Sequence, residues 1–417
     1  MKKEMLEEVV YDQSENLKKK ASGLSRQVDI KKLLSTKQIV VVSGIRRSGK
    51  STLLIQLMQH FDNFYYLNFD DERLINFNIS DFRELMIIYQ KKYKSKTIFF
   101  DEIQNVSGWE HFIRRIYDEG YKVFITGSNA KLLSSELATH LTGRYIKIEL
   151  YPFSFNEILD WYSVDYTKPT TENKARLLYY FDRYLYEGGF PEMIKYEDNE
   201  FLKRIYEDII YKDLIVRHKI RNLKAFKNLS LYLFTNFAKE LSYNSLKNIL
   251  NIKSTNSIKD YVSFLEESYL IFELYKYDYS LKKQYISNKK IYVIDNGVQK
   301  TISFSFSNDK GRLLENLVFV ELKRRGKEIY FFKSKNNKEV DFLYYENKQF
   351  YLIQVSYSLS DYKTKQREIT GLLEANKELP NCHNIILSYN EENITETGNT
   401  TIEIIPVHKW LLNANQY

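Results

Sequence analysis

One octapeptide constrains the fold of this chain more than anything else in its 417 residues: Gly44-Ile45-Arg46-Arg47-Ser48-Gly49-Lys50-Ser51, of the pattern G-x-x-x-x-G-K-[ST]. It lies between a strand-like run, residues 38–43, and a helix-like run, residues 52–60. Ile39-Val40-Val41-Val42 is apolar, β-branched and uninterrupted, as a central parallel strand covered on both faces requires. The glycines let backbone amides curl around phosphate oxygens, and a helix that starts there turns the positive end of its dipole towards the anion. The expected fold is α/β, a parallel sheet with a phosphate-binding loop after its first strand.

In such a loop Lys50 neutralises the β- and γ-phosphates of a nucleoside triphosphate, and the Ser51 hydroxyl ligates its Mg2+ ion. The nucleotide-binding set is Gly44, Ile45, Arg46, Arg47, Ser48, Gly49, Lys50, Ser51 and Thr52. A second buried-strand pattern, residues 97–102, ends in Asp101 and Glu102. Asp101 would hold the metal through water and Glu102 would polarise the attacking water; neighbours on a strand face opposite ways, so the two acids cannot share one role. Taken alone, Asp-Glu at a strand end also reads as a surface turn. A third strand, residues 122–127, leads into Ser128 and Asn129. Two compatible readings stand for these: contact with the γ-phosphate or the lytic water, or capping of the helical run 130–141.

The phosphate loop, Phe99-Phe100-Asp101-Glu102-Ile103-Gln104, Thr126-Gly127-Ser128-Asn129 and Leu141-Thr142-Gly143-Arg144 together resemble the AAA-type P-loop ATPases that carry a C-terminal DUF4143 domain, over nearly the whole chain. The resemblance implies ATP hydrolysis with Mg2+, the loop serving as Walker A and residues 97–102 as Walker B, with Lys50, Glu102, Asn129 and Arg144 as the catalytic set. Arg144 occupies the place of an arginine that reaches a neighbour's nucleotide site, which implies a homo-oligomer. The alternative for Arg144 is a salt bridge within its own chain.

Punctuation divides the rest. Residues 1–34 form a charged helical lead-in, 35–150 the ATPase domain, 151–227 a helical linker or lid, 228–298 a winged helix and 299–417 a small nuclease-like α/β domain. Tyr151-Pro152-Phe153-Ser154-Phe155-Asn156-Glu157 opens a helix with Ser154 or Asn156 as cap, and Tyr186-Glu187-Gly188-Gly189-Phe190-Pro191-Glu192 forces a turn. In the winged helix, runs 229–240, 245–250 and 256–267 are helices, and 270–279 with 290–294 are wing strands. Ser254, Thr255, Asn256, Ser257 and Lys259 open the third helix, and Lys282, Lys283, Lys289 and Lys290 decorate the wing, where phosphate contact is easy. Asp260, Glu266 and Glu267 oppose it, so DNA and a protein partner both stand as candidates.

The last segment has a damaged catalytic pattern. Glu315 on the run 313–325, a strand 328–332, Lys338-Glu339-Val340-Asp341 and a strand 351–356 follow the order of the PD-(D/E)xK nuclease fold. Asp341 matches the first acid, but Gln354 replaces the second and Ser356 the lysine. The expectation is a nuclease-like fold that does not cut, with Glu315 and Asp341 paired to nearby lysines.

Composition adds limits. No window approaches the roughly 18 apolar residues of a membrane span, and the N-terminus lacks an apolar signal core, which points to a cytoplasmic protein. Cys382 is the single cysteine, and the 6 histidines lack ligand spacing, so disulfides and cysteine-rich zinc sites drop out. A net charge of +8 accompanies abundant Lys, Asn, Ile, Tyr and Phe, the bias of an AT-rich coding sequence, and is weak evidence for nucleic acid. Two function classes remain: an ATPase that couples nucleotide state to a C-terminal DNA- or protein-contacting module, and an ATP-binding assembly switch with little turnover. A small-molecule kinase is disfavoured, because no separate acceptor site is apparent and the C-terminal half is too large to be ornamental.

Overall fold

The apolar run after Gln38 forms β1 (Ile39–Ser43), buried along its whole length. In the computed structural model it joins β2 (Tyr65–Asn68), β3 (Thr97–Asp101), β4 (Lys122–Gly127) and β5 (Tyr145–Glu149) in a parallel sheet of order β2-β3-β4-β1-β5. The structure describes residues 1–129, 141–168, 170–252, 254–303, 309–398 and 400–413. The helical run expected at 130–141 lies, apart from Leu141, outside the described residues. The described residues group into two compact units, 1–151 with 267–269, and 152–266 with 270–417.

In the first unit β1 divides its side chains by strict alternation. Val40 and Val42 pack with Leu53, Leu54 and Leu57 of the helix Lys50–Met58, whereas Ile39 and Val41 join a core built from the helices Lys3–Lys18, Asp81–Lys92 and Trp109–Asp118. Strand order reverses at β1, between β4 and β5, and it is at the C-terminal end of such a strand that ligands of open α/β sheets bind. Gln13, on the first helix, closes the β2 edge: its amide accepts from Asn68 N at 2.8 Å and donates to Asn68 O at 3.1 Å.

The second unit begins with the helix Phe155–Trp161, and its cap is Ser154: the hydroxyl accepts from Glu157 N, and the Glu157 carboxylate accepts from Ser154 N. The turn at 186–192 has a structural cause. Gly189 packs so closely that a Cβ would lie 2.3 Å from Phe153 O, and Gly188 has φ +75°. Asp295 accepts from Gly189 N at 2.7 Å and Gly297 N at 2.8 Å, joining this turn to the helix Asn296–Ile302.

Further along, helices Leu223–Thr235, Tyr243–Ile249 and Thr255–Glu267 accompany a small sheet of β6 (Glu240–Leu241), β7 (Ile271–Leu274) and β8 (Lys289–Val293), in the order β6-β8-β7. The first helix starts earlier than the expected 229, because Asn222 accepts from Ala225 N and caps it there. A six-stranded mixed sheet follows, comprising β9 (Tyr330–Lys333), β10 (Glu339–Glu346), β11 (Gln349–Ser356), β12 (Cys382–Ser388), β13 (Asn393–Thr397) and β14 (Thr400–Pro406). Its order is β13-β14-β12-β11-β10-β9, with helices Lys310–Arg324 and Tyr362–Asn376 packed on it. The fold is α/β: a parallel sheet with helices, then a helical region, then a mixed-sheet domain. Among the described residues no helix is long and apolar enough to cross a membrane.

Candidate functional site

The loop after β1 leads into the helix Lys50–Met58. Gly44 and Gly49 take φ of 153° and 95°, and Arg47, exposed at the tip, takes 66°. Gly49 starts the helix Lys50–Met58 with no side-chain cap, so its first amides stay available to a ligand. Ile45 is buried in the wall, and Ser48 Oγ is buried with no hydrogen-bond partner, a donor that a phosphate oxygen would satisfy. Lys50, 4% exposed, folds back across the loop and donates to Gly44 O and Ile45 O, each at 3.2 Å. Arg46 is half-buried, while Ser51 and Thr52 lie in the first helical turn.

Asp101 ends β3 in full burial, and Glu102 follows in left-handed backbone geometry, φ 52°. That twist sends the two carboxylates to different partners. The Thr126 hydroxyl, on β4, donates to Asp101 Oδ1 and accepts from Glu102 N at 2.9 Å, and the Ser51 hydroxyl also bonds to Asp101. Glu102 Oε1 stands 3.5 Å from Lys50 Nζ, while Oε2 accepts from Gln104 Nε2, which itself lies 3.4 Å from Ser128 Oγ. Burial and then the Glu102 charge hold the Asp101 carboxyl above its ordinary range. Burial pushes on Glu102 too, but Lys50, Gln104 and Ser128 outweigh it, and Glu102 is held low.

Asp101 and Ser51 supply hard oxygen donors, which fit Mg2+. Asn129 is buried just past β4, next to Ser128. Arg144 stands apart from this cluster's hydrogen bonds: its Nε is 3.6 Å from Asp118 Oδ1, the within-chain alternative, in a pair whose side chains are 34% and 55% exposed.

One residue the motifs do not contain supports the loop. Arg26, 4% exposed, donates to Ser48 O at 2.6 Å and Tyr151 O at 2.8 Å. Its own backbone N–H meets Gln56 Oε1 at 3.3 Å, and Gln56 Nε2 grips Ser22 O and Leu24 O at 2.7 and 2.6 Å. The stretch between the helices Lys3–Lys18 and Ile30–Ser35 therefore braces the phosphate loop from behind. No local signal in the sequence marks Arg26.

In the second unit the third helix opens at Thr255, whose hydroxyl meets Asn244 Oδ1 at 3.1 Å, and Asn256 and Lys259 are exposed. Between β7 and β8, Tyr279, Leu281, Tyr285 and Ile286 are 67–74% exposed alongside the exposed Lys282 and Lys283. Lys289 and Lys290, expected on the wing surface, are buried at 6% and 3% exposure. The reason is that β8 is the middle strand of its sheet: Lys289 is satisfied by Tyr285 O and Ser287 O, and Lys290 by carboxylates. Glu315 and Asp341 do pair with a lysine, Lys290 at 3.1 and 3.4 Å. Gln354 turns to backbone, accepting from Asp341 N and donating to Glu339 O, each at 2.9 Å, and Ser356 Oγ donates to Ser358 O at 3.0 Å.

The AAA domain family matches residues 36–159, a domain of unknown function, DUF8612, matches 178–308, and another, DUF4143, matches 310–410. The uncharacterized protein MJ1544 of Methanocaldococcus jannaschii is 42% identical over 99% of this chain and 96% of its own length. An uncharacterized protein of Haemophilus influenzae is 30% identical over 93% of this chain and 98% of its own. Among solved structures, the Walker-type ATPase PABY2304 of Pyrococcus abyssi aligns with 66% of this chain and 93% of its own at 17% identity, TM-score 0.42. The RuvB Holliday junction branch migration motor of Thermotoga maritima aligns with 60% and 89% at 14% identity, TM-score 0.29.

Proposed function

The chain belongs to the family of AAA-domain proteins that carry a C-terminal DUF4143 domain, and from that premise we propose that it binds ATP with Mg2+ and hydrolyses it, coupling nucleotide state to contacts made by its C-terminal half. The observation that supports this most is the convergence of Lys50, Asp101, Glu102 and Thr126 at the ends of β1, β3 and β4. Lys50 exchanges the loop carbonyls for β- and γ-phosphate oxygens, joined by the Ser48 hydroxyl and the uncapped helix amides. Ser51 and Asp101 would hold Mg2+, which would supply positive charge against the negative charge building on the phosphates. Losing Lys50 to the phosphates frees Glu102 to orient a water and draw off its proton as the water attacks in line, with ADP leaving. Asn129 and Ser128 contact the γ-phosphate side of the site, and Arg144 completes it in a homo-oligomer.

A second reading, an assembly switch with slow turnover, is favoured by the hold that Lys50 and Gln104 have on Glu102. The exposed aromatic, apolar and lysine residues between β7 and β8 support a macromolecular contact, with DNA or a protein as its occupant. A need for ATP suits the cytoplasm.

Steady-state phosphate release from ATP tests the proposal, with wild type beside Lys50→Ala and Glu102→Gln, and with or without duplex and single-stranded DNA. Turnover should vanish in both variants, with ATP binding kept in Glu102→Gln. Tight binding with no turnover under any condition would replace hydrolysis by the switch.

A further inference from the structure

Side chains from three elements of the C-terminal unit meet at one ammonium group. Lys290 Nζ, on β8, lies 3.1 Å from Glu315 on the helix Lys310–Arg324, and 2.6 Å and 3.4 Å from Glu339 and Asp341 on β10. Tyr292, on the same face of β8, donates to Glu315 Oε1 at 2.6 Å. A lysine withdrawn from water needs compensating charge, and here three carboxylates supply it.

The rest of the pocket is already committed. Asp341 Oδ2 accepts from Val355 N at 2.9 Å, which leaves Oδ1 for the lysine. Gln354 spends both ends of its amide on the backbone of β10. On the facing helix the buried Glu368 carboxyl, pushed up by burial and then by the Asp341 charge, pairs with Arg367, and Gly371 comes so close that a Cβ would lie 2.6 Å from Glu339 O and 2.7 Å from Gln354 Nε2. Lys333 approaches the far oxygen of Glu339 at 3.6 Å. The carboxylates stand at ammonium distances, and no group of three or more His, Cys, Asp or Glu among the described residues is arranged to hold a metal ion. Burial, with the Asp341 charge beside it, lifts the Glu315 carboxyl to about 7, which lessens the negative charge facing the one ammonium.

We propose that Lys290 is the resident cation of this pocket: its ammonium fills the place that a divalent metal ion would take among Glu315, Glu339 and Asp341, and it turns a nuclease-like acid cluster into an ionic joint between β8, β10 and the helix Lys310–Arg324. The proposal is independent of ATP chemistry.

Mn2+ binding to the full-length protein without nucleotide tests it, read from the electron paramagnetic resonance of free Mn2+ and from melting with and without Mn2+. Lys290→Met should bind about one Mn2+ more per chain than wild type and be stabilised by it, and adding Asp341→Asn should remove that extra ion. Wild-type binding should be indifferent to Asp341→Asn. Wild-type Mn2+ binding that Asp341→Asn abolishes would overturn the proposal, as would a Lys290→Met variant that is folded by circular dichroism yet gains no ion. If Lys290→Met does not fold, the comparison of wild type with Asp341→Asn decides on the same terms.

Discussion

Thr126 joins the two carboxylate-bearing residues at the end of β3 through one hydroxyl, donating to Asp101 and accepting from the Glu102 amide. Valine there keeps the shape and strands that amide. We expect Thr126→Val to cost about 1–3 kcal/mol of stability by urea unfolding, and to slow phosphate release by on the order of 10- to 100-fold with ATP affinity little changed. A loss confined to stability would mean that the Glu102 backbone holds its position without the hydroxyl. At this scale the sequence was informative where chemistry is local. Gly44 to Ser51 carry their meaning in their own order, whereas Lys290 misled, because adjacent lysines look like surface until Glu315, Glu339 and Asp341 arrive from other elements.

Among the elements, the turn at 186–192 shows how close backbone approach sets composition. Gly189→Ala would press a Cβ to within 2.3 Å of Phe153 O, a backbone atom that cannot swing aside. The expected cost is about 3 kcal/mol or more, seen as a lowered melting temperature. The same turn carries a pH signature. Asp295 is buried and its carboxyl is pushed up to about 6 from an ordinary 3.8, so the folded chain holds that proton more tightly than the unfolded one. This contribution is fully present below pH ~4 and is lost as pH rises to ~6, a decline of about 3 kcal/mol. Denaturation curves from pH 4 to 7.5 should show wild type losing that much more than Asp295→Asn across the window; parallel curves would refute it. The parallel sheet and its strands β1, β3 and β4 were readable from apolar runs and from the motif, as were a cap at Ser154 or Asn156, which Ser154 fills, and a helix over 256–267. The start of the helix at Leu223 was not, because Asn222 is one polar residue among many until its neighbours fold under it.

For the whole molecule the question is whether one chain completes its own site. The Arg144–Asp118 pair is exposed, and such pairs contribute roughly 0–1 kcal/mol, so Arg144 is free to be drawn elsewhere. If it serves a neighbour, Lys50→Ala and Arg144→Ala are each inactive alone, and an equal mixture recovers on the order of a quarter of wild-type phosphate release, the fraction of sites that pair an intact lysine with an intact arginine at random. No recovery would confine Arg144 to its own chain. The brace formed by Arg26 bears on how such a protein can be cut. A fragment starting at residue 36 would keep every letter of the nucleotide motif, yet Ser48 O and Tyr151 O would lose the guanidinium that ties them together. We expect it to bind ATP far more weakly than a fragment starting at residue 1, so that a working minimal unit is delimited by an arginine no pattern search would retain.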